Sequence, residues 1–324
     1  MRFEVRIACP VMKYRRFLKL RIVLMVFVLP LVFYYIFVQL QDGWDKLQHY
    51  RWSLNIYYLV LSIFTVLLYA VVATLTWQWV LSYLGSRLGF WASFRIVQLS
   101  QLGKYLPGRV WAVGGQVYLG EQEGIARRTL IWATGLQWFF NLLSGATLFL
   151  PFLYIFASKK IAVVATLTVL LALGLGLFFG HFLRFFLTWF DACFNIKLPK
   201  DLSWLSPTEG LKIFLALTAA WFLFGLSFWA LINAFIEIPL VSYYPVLASF
   251  CGAWVLGTLS FFTPAGMGVR EGALVYLLGH FLLPPVAVMI SIASRLWLIV
   301  VDLSCASIAW WGGRCFCYRI GDGR

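Results

Sequence analysis

Two clusters of ionisable residues lie in otherwise apolar sequence, and both contain the groups needed to hold an anion. The first follows a Pro/Gly break in the stretch SFFTPAGMGVREGALVYLL, residues 260–278, where Arg270 and Glu271 come directly after Pro264, Gly266 and Gly268. Arg295 and Asp302 belong with it, because their spacing sets them two turns apart on one face of a helix. An Arg fork can bind two phosphate oxygens at once, while a carboxylate balances or releases the bound group. The same four charges could instead pair with one another and pin a hairpin to a helix, and the sequence leaves both readings open.

The second cluster is Lys104, Pro107, Gly108 and Arg109, with Arg95 and Gln101 in the approach to it. Glycine lets backbone N–H groups come close to an anion, and a short helix start adds the positive end of a dipole. The alternative is that Lys104 and Arg109 only reach toward lipid headgroups. Gln137 and Asn141, one turn apart, could line a polar path or hydrogen-bond between helices. Glu121 and Glu123 read as loop charges balancing Arg127 and Arg128.

Other chemistries find no support. The six Cys are scattered without a C-x-x-C, and His49, His181 and His280 lie far apart, so no metal site is expected. There is no Ser-His-Asp order, phosphate-binding loop or dinucleotide fingerprint, so no catalytic residue and no cofactor is expected either.

The elements that must position these residues are membrane helices. The chain is 62% hydrophobic and 12% charged, with several apolar runs of spanning length, so it reads as an all-α polytopic membrane protein. Its formal charge of +14 is then a topology signal and an attraction to anionic headgroups, and nucleic acid is not expected as a partner. Residues 1–324 read as a single membrane domain, with no soluble domain of ordinary size expected. Its subdivisions are a basic cytoplasmic amino terminus (1–21), a first re-entrant hairpin (90–124), an amphipathic connector (183–208), a second re-entrant hairpin (246–283) and a basic cytoplasmic tail (312–324). About six full spans are expected, near 22–40, 54–84, 129–157, 161–182, 209–235 and 286–311. In the second, Trp77, Trp79 and Tyr83 are suited to an interface.

A Pro/Gly break at membrane depth is tolerated only where protein or a water-filled cavity covers it, which makes each broken segment a candidate re-entrant hairpin. The two resemble each other: each has a Pro with Gly close behind it, and each then reads Val-Tyr-Leu, at 117–119 and 275–277. If neither crosses, three spans separate them and they enter from opposite faces, as inverted-topology repeats do. Outside Lys46, Arg51, Lys159, Lys160, Arg270 and Arg295, every Lys and Arg then falls in or beside cytoplasmic segments. Both termini are expected on the cytoplasmic side of the inner (plasma) membrane.

The pairing of QLGKYLPGRVWAVGG with SFFTPAGMGVREGALVYLL resembles the flippase-like membrane domain of bacterial lysylphosphatidylglycerol synthases and its stand-alone relatives. The family pattern of Pro, small residue, Gly, any residue, Gly and then an acid falls on Pro264, Ala265, Gly266, Met267, Gly268 and Glu271. Ala265 stands where relatives commonly have a second Gly. The resemblance implies translocation of an anionic, aminoacylated or glycosylated phospholipid or polyprenyl-linked intermediate between leaflets. It does not imply lysyl transfer, which in the larger synthases belongs to a soluble domain.

A competing reading is an integral-membrane glycosyltransferase or other lipid-modifying enzyme using Asp42 and Asp45. A third is a non-catalytic partner of an envelope-biosynthesis enzyme. A membrane lipid is the expected substrate, with envelope-biosynthesis enzymes or a second copy of the chain as candidate partners.

Overall fold

The architecture is taken from a computed structural model, which describes residues 54–105, 110–156, 206–260, 266 and 268–321, together with scattered helical residues between 159 and 174. Side chains are described as far as residue 312. The basic amino terminus, the span expected at 22–40, Asp42 and Asp45, Pro107, Gly108, Arg109 and Pro264 lie outside the described residues. So do nearly all of the 183–208 connector and most of the span expected at 161–182.

All described elements are helical. In chain order they are α1 (Ile56–Tyr83), α2 (Phe90–Gln101), a 3-10 turn (Leu102–Tyr105), α3 (Val110–Gln122), α4 (Arg127–Phe156), α5 (Pro207–Phe235), α6 (Tyr243–Leu259), α7 (Val269–Leu278) and α8 (Pro284–Gly321). Their ends follow local chemistry. The Asn55 side chain accepts from the Tyr57 N–H and starts α1. Ser206 and Glu209 form a reciprocal capping box at the start of α5, with Pro207 at its first position. At the other end of α5, Asn233 Oδ1 accepts from the Ile238 N–H at 3.0 Å and closes the helix.

Five described stretches are long and apolar enough to cross a membrane: Ile56–Tyr83, Arg127–Tyr154, Pro207–Phe235, Leu240–Leu259 and Pro284–Gly312. Four correspond to expected spans. The stretch Leu240–Leu259, expected as the entering limb of the second hairpin, itself meets the length and composition of a span. The last helix does not stop near Trp311 but continues through the expected tail to Gly321. The interfacial expectation also fails for Trp77, which is fully buried, whereas Trp79 is 45% exposed.

Two large hydrophobic cores organise the bundle, beside a small third cluster at Phe152, Ala248 and Leu277, and α5 contributes to both large ones. One gathers Trp77, Ile96, Leu130, Phe140 and Leu217 around the α2–α3 pair. The other gathers Phe228, Phe250, Leu274 and Ile290 around the α6–α7 pair. Between apolar helices there is little hydrophobic drive to associate in lipid, so contact depends on close approach at small residues and on polar cross-links. The Ser62 and Ser227 hydroxyls meet at 3.4 Å between α1 and α5. Gly225 faces Leu247, and Gly252 lies under Phe149, each without room for a Cβ.

Glycines also fold each pair back on itself. A Cβ at Gly103 would sit 2.8 Å from the Ala112 nitrogen, and one at Gly115 would sit 3.2 Å from Ser100 Cβ, so α2 and α3 run antiparallel in close contact. In the other pair a Cβ at Gly257 would sit 2.9 Å from Arg270 Cβ, and one at Gly266 would sit 2.7 Å from the Gly257 carbonyl oxygen. Gly266 also has φ +70°, a conformation that costs a non-glycine residue about 1–2 kcal/mol before any clash. Gly266→Ala is therefore expected to lower the thermal unfolding midpoint of the purified protein in detergent. Gly135→Ala, at an exposed helical position with open space around it, should leave the midpoint unchanged or raise it.

Candidate functional site

A cavity of about 220 Å³ lies between the two helix pairs, walled by α1, α5 and α8. From the first pair it receives Gln101 and Lys104, and from the second Gly257 and Arg270. The last helix adds Arg295 and Asp302, and α4 adds Asn141. Residues from Val66 to Cys305 thus converge on one space.

The charges in it are arranged as two pairs and a remainder. Lys104, carried on the 3-10 turn after α2, places Nζ 2.6 Å from Asp302 Oδ2. Tyr105, the next residue, donates its hydroxyl to the same carboxylate oxygen. Asp302 is only 12% exposed at its side chain and is committed twice. The second pair joins Arg295 Nε to Glu271 Oε1. Glu271 Oε2 meanwhile accepts from the Gly268 N–H at 2.7 Å, capping α7, while Gly268 takes φ +84° to make that turn. Each pair ties α8 to a different helix pair, which is the pinning role that the sequence left open. Glu271 pairs with Arg295 and not with Lys104.

Arg270 is the remainder. Its guanidinium lies 4.7 Å over the Phe250 ring, and its Nη2 is sealed from solvent with no hydrogen-bond partner among the described residues. Arg295 Nη2 is in the same condition. Lys104, Arg270 and Arg295 against Asp302 and Glu271 leave one net positive charge. Buried guanidinium N–H groups without an acceptor are costly, and a bound anion would satisfy them.

The remaining candidates divide. Gln101 and Asn141 line the cavity, and neither side-chain amide has a hydrogen-bond partner among the described residues. Gln137 is committed elsewhere, its Nε2 donating to the Ala73 carbonyl at 2.8 Å across to α1. Arg95 pairs at 3.4 Å with Glu123, not with a group in the cavity, and Glu123 was expected to balance Arg127 and Arg128. Gly266 and Gly268 shape the entry to α7.

Sequence reasoning missed the aromatic wall. Tyr69, Trp138, Trp221, Phe224 and Trp254 line the cavity together with Phe250. Aromatic residues in such a chain read first as interfacial belts, and no spacing in the sequence marks these as part of the site. Trp221 is held firmly, with Nε1 donating to the Asn141 carbonyl at 3.2 Å and its ring resting on Gly145. Trp254 meets it edge-on at 5.1 Å.

Compared with known proteins, the chain matches the family described as Lysylphosphatidylglycerol synthase TM region over residues 17–303. No curated protein matches it.

Removing one partner of a part-buried ion pair strands the other charge, at a cost of about 3–5 kcal/mol. Glu271→Gln and Arg295→Met are each expected to destabilise on that scale. The double variant should cost clearly less than the two together, as measured by thermal or denaturant unfolding in detergent.

Proposed function

The chain belongs to the lysylphosphatidylglycerol synthase TM region family, a membrane-domain family tied by its description to a lipid synthase, and from that premise we propose that it moves a lipid with an anionic headgroup between leaflets, as a flippase or scramblase-like transporter. The observation that carries the proposal is Arg270, a cation that lines the cavity and holds a sealed N–H group with no partner among the described residues, beside two charge pairs that already match acid to base. A lipid phosphate is the anion that would fill this position, bound by the planar fork of the guanidinium.

The headgroup enters the cavity while its tails stay in the bilayer. The cavity volume of about 220 Å³ supports this division, since drug-sized ligands occupy pockets of about 300–1,000 Å³. The α2–α3 and α6–α7 pairs act as two re-entrant hairpins related as inverted repeats, and the matching glycine contacts at Gly103 and Gly257 support that relation. Transport is downhill or ion-coupled, with Glu271 as the carboxylate that a proton would address. The Lys/Arg distribution supports a plasma-membrane protein with both termini in the cytoplasm. We assign no catalytic residue to the chain.

Proteoliposomes containing the full chain should exchange fluorescent anionic phospholipid between leaflets faster than protein-free vesicles do. Arg270→Met is expected to slow exchange roughly tenfold or more, because a hydrogen bond to a charged group contributes about 1.5–3 kcal/mol. Lys212→Gln, at an exposed position on α5, should leave exchange unchanged. Exchange at the protein-free rate for anionic phospholipids and polyprenyl-linked sugars alike, with folded protein, would overturn the proposal.

A further inference from the structure

The charge inventory and the aromatic wall together narrow the headgroup, given the transport reading above. We propose that the cavity takes a phosphodiester whose distal part is a neutral polyol or sugar, and that it rejects a cationic aminoacyl headgroup.

The charges supply the first half of the argument. Both acids of the site are committed: Asp302 accepts from Lys104 and Tyr105, and Glu271 accepts from Arg295 and the Gly268 N–H. One phosphate monoanion neutralises the net positive charge that Arg270 leaves. After that no lining carboxylate is free to receive an ammonium group, because Asp302 is the only acid in the wall among the described residues. An aminoacyl ammonium would enter beside Lys104, Arg270 and Arg295 as a like charge. The attraction of one aromatic face for a cation, about 0.5–2 kcal/mol, is weaker than the combined repulsion of three cations at close range.

The aromatic residues of the wall supply the second half. Trp254 and Trp138, both half-buried, line the cavity, and Trp221, only 2% exposed, backs Trp254 edge-on. The Asn141 and Gln101 amides offer both donors and acceptors and have no partner among the described residues. Hydroxyl groups meet amides well, and the C–H faces of a sugar or glycerol suit an indole ring. Trp221 fixes the support for Trp254, its indole N–H donating to the Asn141 carbonyl and Gly145 lying beneath its ring. The platform is therefore built before the ligand arrives. Phosphate at Arg270, over Phe250, would leave the polyol beside Trp254, one turn further along α6.

The test is a binding measurement on the full chain in phosphatidylcholine nanodiscs, by native mass spectrometry and Trp fluorescence. The titrants are phosphatidylglycerol, a glucosyl phosphopolyprenol, lysylphosphatidylglycerol and phosphatidic acid. At least one of the two neutral-headed lipids should bind roughly tenfold or more tightly than lysylphosphatidylglycerol, a difference of about 1.4 kcal/mol. The tighter of the two identifies which lipid class supplies the polyol. Trp254→Leu should reduce the preference for that lipid over phosphatidic acid several-fold, and Trp254→Phe, which keeps an aromatic face, should largely retain it. Arg270→Gln should weaken every anionic titrant and narrow the margin against the lysyl lipid. Equal or tighter binding of lysylphosphatidylglycerol, or no binding of either neutral-headed lipid, would overturn the assignment, as would a preference over phosphatidic acid indifferent to Trp254→Leu. Leaflet exchange is read separately, so a protein that shows the headgroup selectivity without moving lipid supports the assignment and overturns the transport reading.

Discussion

A charge held among apolar helices must find a partner, and this requirement shapes the centre of the molecule. α8 carries Arg295 and Asp302 on one face, and each is answered from a different helix pair, by Glu271 on α7 and by Lys104 on the turn after α2. The final helix is thereby the common support against which both pairs are set. Apolar packing alone would not fix that register, because helices in lipid slide past one another at little cost unless small residues or polar contacts hold them. Gly103, Gly115, Gly257 and Gly266 bring the limbs of each pair close enough for the charged residues to reach α8.

Much of this arrangement is legible in the sequence. The Pro/Gly breaks and the ionisable residues beside them mark the positions that line the cavity, because membrane-embedded sequence rarely has either without cause. Arg270, Arg295, Lys104, Asp302, Gln101 and Asn141 all reach the cavity wall. The pairing of the charges is not legible, since spacing along one chain says which residues share a face but not which face meets it. Glu271 has a neighbouring cation at Arg270, yet α7 turns Arg270 over Phe250 and leaves Glu271 to Arg295 on another helix.

Two further features exceed what sequence carries, for different reasons. A run of about 17–20 apolar residues satisfies both a short span and one limb of a hairpin, so the stretch Leu240–Leu259 reads either way. Aromatic residues serve equally as membrane-interface anchors, as core and as ligand platform, and composition does not separate them. Trp77 and Trp79 are near neighbours in one helix, one fully buried and the other 45% exposed. The same ambiguity hid Trp221 and Trp254, whose place in the wall depends on α4 and α5 packing near α6.

The two oxygens of Glu271 serve two different structures: Oε2 receives the N–H of Gly268, which begins α7, and Oε1 receives the Arg295 side chain from α8. A single carboxylate is thus the joint between the backbone start of one helix and the flank of another. α7 cannot tilt away from α8 while keeping both bonds, and Gly268 cannot change its turn without pulling on the carboxylate that steadies Arg295. The left-handed glycine turn, the helix start and a cation of the cavity wall thus all depend on one side chain, so losing that carboxylate would remove a support from each of them at once.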